Sequence, residues 1–240
     1  MTLQNADNII AALGQSNRVC EVFLMDLADW QMEKVLATMQ VPFPELTKLG
    51  FWLNNERPAI PDSFLDGSAP RLLHFELDGV PFPGLPSLLL SANHLVHLEL
   101  YNIPPSGYIS SEAMVTPLSV LTSLETLILQ FQPLRPPSFP GWGSQILPPR
   151  KRSILPALDR FYFQGVTNYL EDLVTFFDAP QLETLDATFF NQINFNCPRL
   201  ARFINCTEIL SAPNEAHVQF GHGSVIVKLR YPTSKSTDLR

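Results

Sequence analysis

The chain has 240 residues, of which 45% are hydrophobic and 16% are charged. A chain of this length and apolar content can bury a sizeable core, which excludes a globally disordered protein. The formal net charge of -7 argues against general nucleic-acid binding, which needs a basic face, and no apolar run approaches the roughly 20 residues of a membrane span.

The N-terminal segment, MTLQNADNIIAALGQ, has neither the basic start nor the continuous apolar stretch of a secretory signal. Within this segment, Asn8 to Leu13 carries a short helical pattern. The cysteines Cys20, Cys197 and Cys206 are sparse and odd in number, which fits a reduced compartment. We therefore expect the protein in the cytoplasm, in the nucleus or in both.

From Val19 onward, a short apolar pattern recurs along the chain. Its copies have an apolar residue at the first and fourth places, and most have another at the sixth. They begin at Val19, Leu46, Leu72, Leu95, Leu124, Leu158, Leu182 and Leu200, which are 27, 26, 23, 29, 34, 24 and 18 residues apart. This is the L-x-x-L-x-L core of a leucine-rich repeat, and each copy is predicted to form a strand.

The segments between these strands carry a mixture of helical and extended patterns. Three of them combine a capping residue with apolar residues at helical spacing, which predicts a helix. These are Asp29–Gln40, the segment after Ser110 or Ser111, and the segment that starts at Thr167 or Asn168. The proline-rich stretch 81–93 is predicted to be an extended arc.

Two segments depart from the repeat. Residues 132–156 hold seven prolines and the basic run 150–152, which predicts a long surface loop. Besides a plain insertion, this loop is compatible with a peptide ligand, a nuclear localisation signal or a phosphorylation site at Ser153. The alternating runs from Glu215 to Leu229 flank Gly221-His222-Gly223-Ser224 and predict a β-hairpin.

Together these patterns predict an α/β fold. We expect an irregular leucine-rich-repeat solenoid with about eight parallel strands on its concave face, helices and extended arcs on its convex face, and the hairpin as its C-terminal cap. Residues 1–230 are expected to form a single domain that contains the inserted loop 132–156, and residues 231–240 are expected to form a flexible tail.

Three stretches of the chain resemble the leucine-rich regions of fungal F-box proteins, a large family expanded in mushroom-forming fungi. They are RLLHFELDGVPFPGLPSLLLSANHLVHLELYNIP, LSVLTSLETLILQF and LVTFFDAPQLETLDATFF, and the resemblance extends roughly from Asp7 to Leu229. It implies that the repeats recognise a protein substrate for ubiquitination, while an N-terminal F-box binds a Skp1-type adaptor. No F-box is visible ahead of Val19, so adaptor binding is expected only if an F-box lies upstream of this chain.

In each copy, the third, fifth and seventh residues are predicted to point out of the concave face. Stacked strands align these residues into three columns across a sheet about 35 Å wide. The columns combine aromatic residues, which anchor interfaces, with an acidic patch that contains histidines. The predicted binding residues for an unknown protein target are Lys48, Trp52, His74, Glu76, Asp78, His97, Glu99, Tyr101, Gln130, Arg160, Tyr162 and Asp186.

The sequence lacks three common motifs of catalytic and nucleotide-binding sites. It has no phosphate-binding loop, no dinucleotide fingerprint and no nucleophile elbow. We therefore expect a non-catalytic protein-binding module without a cofactor or a metal. One alternative is a stand-alone repeat scaffold or decoy without ligase recruitment. A more remote alternative is a hydrolase or metal enzyme that uses His74, Glu76, His97 and Glu99.

Overall fold

The computed structural model of the protein describes residues 3–52, 59–133, 152–190, 196–221 and 224–231. The strands in these ranges are β1 (Glu21–Met25), β2 (Lys48–Trp52), β3 (His74–Asp78), β4 (His97–Ile103), β5 (Thr126–Phe131), β6 (Ser153–Ile154), β7 (Arg160–Gly165), β8 (Phe177–Asp178), β9 (Thr184–Phe190), β10 (Glu215–Gly221) and β11 (Ser224–Arg230). The helices are α1 (Leu3–Leu13), α2 (Asp29–Thr38), α3 (Leu85–Leu89), α4 (Ser111–Leu118), α5 (Thr167–Leu173), α6 (Pro198–Cys206) and α7 (Glu208–Ser211).

Nine of these strands form one large sheet. Its order is β1-β2-β3-β4-β5-β7-β9-β11-β10, so its strands follow one another in chain order as far as β9. The pairings from β1 to β9 are parallel, whereas β11 pairs antiparallel with β9 and β10 pairs antiparallel with β11. A second, two-stranded parallel sheet joins β6 to β8. The predicted α/β fold with a large, mostly parallel sheet and helices is therefore confirmed.

The strand register follows the repeat of the sequence. Third places of the copies pair with one another and form a row across the sheet: Glu21, Lys48, His74, His97, Thr126, Arg160 and Thr184. The adjacent row is buried: Val22, Leu49, Phe75, Leu98, Leu127, Phe161 and Leu185. Because side chains alternate along a strand, one side of the sheet is apolar. We call the other side, which carries His74, Glu76 and Asp78, the polar face.

The core lies between the apolar side of the sheet and the helices. One connected cluster of buried side chains extends from Leu13 to Leu229 and includes residues of α2, α4, α5 and α6. In α2, the buried residues include Met32, Val35 and Leu36, as their helical spacing predicts. Each such side chain contributes about 1.5–3 kcal/mol when it is fully buried. Among the described helices, none is long and apolar enough to cross a membrane.

Helices form at the three predicted segments, but of the predicted capping residues only Ser110 caps its helix through its side chain. The Ser110 hydroxyl accepts a hydrogen bond from the Ala113 N–H at 3.1 Å, so Ser110 is the N-cap of α4. Helix α5 begins at Thr167, as predicted. Helix α2 begins at Asp29, but its N-cap is Ala28, whose N–H donates to Gln31 Oε1 at 2.9 Å. Side-chain oxygens near helix starts thus satisfy N–H groups that have no partner within the helix.

Near the ends of three strands, one residue has a positive φ. These residues are Asp26 (53°), Gly79 (71°) and Asn102 (47°), and each occupies the eighth place of its copy. Glycine, asparagine and aspartate adopt this left-handed conformation at the lowest cost. The Asp26 N–H donates to the Trp52 carbonyl at 3.1 Å, so this backbone stays paired with the next strand as it leaves the sheet.

Two predictions of local structure are wrong. The copy from Leu200 is a helix, α6, so the described residues contain seven parallel strands in the large sheet where about eight were predicted. Leu200 and Phe203 are buried three residues apart, a spacing that suits a helix, and Pro198 lies in the first turn. The stretch predicted as an extended arc contains the short helix α3, which also begins with a proline in its first turn.

The C-terminal hairpin lies where it was predicted. Strand β11 pairs with β9 and buries Val225, Val227 and Leu229. Three predicted features lie outside the described residues: the hairpin turn at His222, residues 134–151 of the inserted loop and residues 232–240 of the tail. At the end of the loop, the Arg152 guanidinium donates to the carbonyls of Val174 and Phe177 and pairs with Asp178.

Candidate functional site

All twelve predicted binding residues lie on the polar face. They occupy alternate places of β2, β3, β4, β5, β7 and β9, and they are half-buried except for Lys48, which is exposed. The polar face is not open throughout, because Thr126 and Ile128 of β5 are only 3% and 8% exposed. The predicted residues therefore divide into a central group on β2–β4 and an outlying group beyond it.

Three charged residues at the margins of the polar face, two outlying and Lys48 of the central group, already have partners within the protein. Asp186 pairs with Lys228 of β11 at 2.8 Å, and Arg160 Nε donates to Asp159 Oδ1 at 3.1 Å. At the other edge of the sheet, Lys48 pairs with Glu21 at 2.9 Å. Ion pairs of this exposure contribute about 0–1 kcal/mol, so they would compete only weakly with a binding partner.

Of the two uncharged outlying residues, only Tyr162 continues a row of the central group, because the register between β4 and β5 shifts after Leu100, next to Gln130. Tyr162 is in register with Ile128 and Asp186, and Gln130 is in register with Gln164. Both are half-buried. They extend the polar face away from β4 without adding charge.

Aromatic rings form a layer over β1–β4. Phe23 stacks on Trp52 with ring centroids 5.5 Å apart, and it meets His74 edge-on at 6.4 Å. The rings of His74 and His97 lie 5.5 Å apart. Gly50 makes room for this layer, because a Cβ there would lie 2.6 Å from Phe23 Cδ1 and 2.9 Å from Trp52 Cη2. We call Phe23, Trp52, His74 and His97 the aromatic layer.

Two carboxylates beside the aromatic layer are held by hydrogen bonds from aromatic side chains. Trp52 Nε1–H donates to Glu76 Oε1 at 2.5 Å, and the Tyr101 hydroxyl donates to Glu99 Oε2 at 2.7 Å. Hydrogen bonds to ionised groups are stronger than those between neutral groups. Because Glu76 and Glu99 are direct neighbours in the register, these bonds fix two carboxylates side by side.

A third carboxylate extends this acidic patch toward the ends of the strands. Asn102 Nδ2 donates to Asp78 Oδ1 at 2.7 Å, which links the end of β4 to the end of β3. Asn102 is one of the residues with a positive φ, and this backbone conformation accompanies the contact. The acidic patch therefore consists of Glu76, Asp78 and Glu99.

Burial on the polar face changes the pKa of two groups. It lowers the pKa of His97 below its ordinary 6.5, and the neighbouring His74 lowers it further. Burial and the hydrogen bond to Glu99 raise the pKa of the Tyr101 hydroxyl well above its ordinary 10. Tyr101 therefore stays protonated and donating at neutral pH, while His97 is uncharged and does not neutralise the carboxylates beside it.

Phe23 and Gly50 also belong to the site, although neither is among the predicted binding residues. Both lie in the fifth-place column with Glu76. A glycine inside a strand often marks the close approach of another group, and that signal was present at Gly50. Phe23 is a large apolar residue at a place predicted to face out of the sheet, and the structure shows it 43% exposed, whereas such side chains usually face the core.

Three of these residues could hold a metal ion. His74, Glu76 and Glu99 each offer one ligand atom, and these atoms all lie within 4.8 Å of one another. By contrast, the cavity behind the polar face is lined mainly by apolar residues, including Leu77, Leu100 and Leu129, and it contains no carboxylate or imidazole. This cavity therefore offers no ligand set comparable to that of the polar face.

Comparisons with known proteins identify no family for this chain. No family model matches it, and neither a curated protein nor a solved structure matches it. Its function must therefore be inferred from its own residues.

Proposed function

We propose that the protein is a non-catalytic protein-binding module, a substrate-recognition region related to F-box ubiquitin-ligase subunits, that binds its target on the polar face. The supporting observation is that Trp52 and Tyr101 are half-buried there and are each held by a hydrogen bond to a glutamate. Tryptophan and tyrosine are enriched among the residues that dominate binding energy. Side chains that are already held lose less conformational entropy on binding.

The proposed architecture is a leucine-rich-repeat solenoid with the polar face on its concave side. Its support is the agreement between the repeat spacing and the strand register, because equivalent places of seven copies pair across parallel strands. Repeat proteins of this kind bind partners on extended concave surfaces.

The central group also indicates the chemistry of the partner. Glu76, Asp78 and Glu99 supply negative charge, while the exposed Phe23 and the half-buried Trp52 supply ring surface next to it. A segment with lysine or arginine beside an apolar side chain would satisfy both features, and a cation over an aromatic ring adds further attraction. We propose a basic, amphipathic protein segment as the bound region of the target.

Ligase recruitment is a separate part of the proposal. Binding of a Skp1-type adaptor requires an F-box upstream of this chain, and without one the protein acts as a stand-alone repeat scaffold or decoy. Either form would act in the cytoplasm, in the nucleus or in both. The 5′ end of the native transcript distinguishes them, because an in-frame three-helix F-box segment supports recruitment and its absence supports the scaffold or decoy.

Selection of peptides from a displayed random library on the immobilised protein tests the binding function. We expect the enriched peptides to combine lysine or arginine with an apolar residue. Trp52→Ala and Tyr101→Ala should each weaken their binding by roughly 30-fold, which corresponds to about 2 kcal/mol at an aromatic anchor.

Trp30→Ala is the matched control for this experiment. Trp30 is an exposed tryptophan on α2, away from the polar face, with Lys34 Nζ 5.2 Å from its ring centroid. We expect this variant to bind the selected peptides as well as the wild type does. Binding that survives both Trp52→Ala and Tyr101→Ala, or that falls equally in Trp30→Ala, contradicts the proposed function.

A further inference from the structure

Three metal-ligating side chains converge between β3 and β4. The candidate ligand atoms of His74, Glu76 and Glu99 lie within 4.8 Å of one another, and His74 Nε2 is 3.5 Å from Glu76 Oε2. Two ligands of a tetrahedral Zn²⁺, each bound at about 2.0–2.1 Å, lie about 3.3 Å apart. The separation of this pair is thus close to that of two ligands of one ion.

We propose that His74, Glu76 and Glu99 form a binding site for a divalent metal ion, with Zn²⁺ as the favoured ion. Imidazole nitrogen and carboxylate oxygen are both ligands that Zn²⁺ accepts. Three protein ligands leave one position open, which water or a side chain of a bound partner can fill. His97 is not one of the three ligands, although its ring lies 5.5 Å from that of His74.

Hydrogen bonds around the site orient its carboxylates. Trp52 donates to Oε1 of Glu76, which leaves Oε2 on the side of His74, and Tyr101 donates to Oε2 of Glu99, which leaves Oε1. Metal ligands are commonly fixed by such outer contacts, and their loss typically costs roughly 10–100-fold in metal affinity. Each glutamate therefore keeps one oxygen for the metal while the other is held in place.

The charge balance favours a cation at the same point. Glu76 and Glu99 are direct neighbours across parallel strands, and like charges in this position repel. A divalent ion between them would replace that repulsion with two attractions. The metal site shares Glu76 and Glu99 with the proposed protein-binding surface, so a bound ion would compete with a basic segment for these carboxylates. The inference itself depends on three ligand atoms and not on a complementary partner.

Isothermal titration of the metal-free full chain with zinc chloride tests the site. We expect one Zn²⁺ per chain, and we expect His74→Ala, Glu76→Gln and Glu99→Gln each to weaken binding by at least about tenfold. Cobalt(II) provides a second measurement, because its visible absorption should show ligation in the wild type and change in His74→Ala. The glutamine substitutions preserve the shape of each side chain, and circular dichroism confirms that the variants fold.

His94→Ala is the matched control, since His94 is exposed and precedes β4 outside the group. It should bind zinc as the wild type does. Tyr101→Phe removes only the hydroxyl that holds Glu99 and should weaken zinc binding by roughly 10–100-fold. Absence of stoichiometric zinc binding by the wild type, or equal losses in His94→Ala and His74→Ala, overturns the proposal. Peptide binding that persists without zinc would leave the proposed function intact.

Discussion

Gly50 lies beneath two aromatic rings, and its missing side chain determines where they can sit. The Trp52 ring contacts this position, and the same ring donates the hydrogen bond to Glu76. The absence of a Cβ at Gly50 therefore affects the position of the Glu76 carboxylate on β3, through the Trp52 ring. Such close approach is one of the few roles in a strand that only glycine fills.

Gly50→Ala should displace both rings and lengthen the Trp52–Glu76 hydrogen bond. We expect the free energy of unfolding to fall by about 1 kcal/mol, the lower end of the usual cost of overpacking, because Phe23 is exposed and can move aside. Urea unfolding measures this change, and binding of the selected peptides should weaken with it.

Gly14→Ala is the control for this substitution. A Cβ at Gly14 would lie 3.4 Å from the Ala11 carbonyl oxygen and 3.5 Å from the Ile10 carbonyl oxygen, which is ordinary van der Waals contact. We expect its stability to change by less than about 0.5 kcal/mol. Equal effects of the two substitutions would show that contact with the aromatic rings is not what restricts Gly50.

For single residues, the sequence predicts which face of the sheet a side chain lies on, but it does not predict which side chain it hydrogen-bonds to. Alternation along a strand with period two is enough to place Trp52, Glu76 and Tyr101 on one face. The Trp52–Glu76 hydrogen bond joins residues 24 positions apart and depends on register and side-chain rotamer together. Neither is specified by a short pattern, so this contact could not be predicted from the residues alone.

Helix α6 shows how one side chain can set the start of an element. The Glu171 carboxylate, on α5, accepts hydrogen bonds from the N–H groups of Arg199 at 3.0 Å and Leu200 at 2.7 Å. Glu171 is only 8% exposed, so these bonds form in a largely dry environment. A carboxylate at a helix start also interacts favourably with the helix dipole. The neighbouring helix thus supplies the cap that α6 lacks in its own sequence.

Glu171→Ala should therefore destabilise the protein by about 2 kcal/mol, because it leaves the buried N–H of Leu200 and the part-buried N–H of Arg199 without their acceptor. Glu171→Gln retains one oxygen acceptor and should cost less. Urea unfolding of the two variants measures the difference.

Glu33→Ala, on the exposed side of α2, provides the comparison and should change stability by less than about 0.5 kcal/mol. If Glu171→Ala were no more destabilising than Glu33→Ala, the cap would not contribute to stability.

The same contact explains the wrong prediction at Leu200. The apolar residues Leu200, Phe203 and Ile204 fit both a strand pattern and a helical one, because a short run does not separate the two periods. A cap from Glu171, 29 residues before Leu200 in the chain, favours the helix. The copies from Leu72 and Leu95 form strands as predicted.

At the scale of the whole molecule, the two edge strands of the large sheet are paired differently. Strand β1 is a parallel edge, whereas the other edge belongs to the antiparallel hairpin β10–β11. Strand β11 covers β9 and buries three aliphatic side chains, and Lys228 pairs with Asp186 across this boundary. The hairpin therefore protects an edge that would otherwise expose unpaired backbone groups and apolar side chains.

Ending the chain at Ser211 should remove this protection. Burial of three aliphatic side chains contributes about 5 kcal/mol in total, so we expect the melting temperature to fall by at least about 10 °C. Size-exclusion chromatography should show association through β9. A chain ending at Tyr231 keeps every described strand and should melt as the wild type does. A monomer of unchanged melting temperature after truncation at Ser211 would contradict a protective role of the hairpin.

The chain order of the strands also bears on how the sheet can assemble. Strands β1 to β5 begin 27, 26, 23 and 29 residues apart, which is about a tenth of the chain. Sheets built from distant pairings fold slowly, because a long loop must close before any contact repays the entropy lost. In β1 to β5, each strand pairs with its neighbour by closing a loop of fewer than 30 residues. The pairing of β3 with β4, which brings His74, Glu76 and Glu99 together, is thus one that the chain can make early.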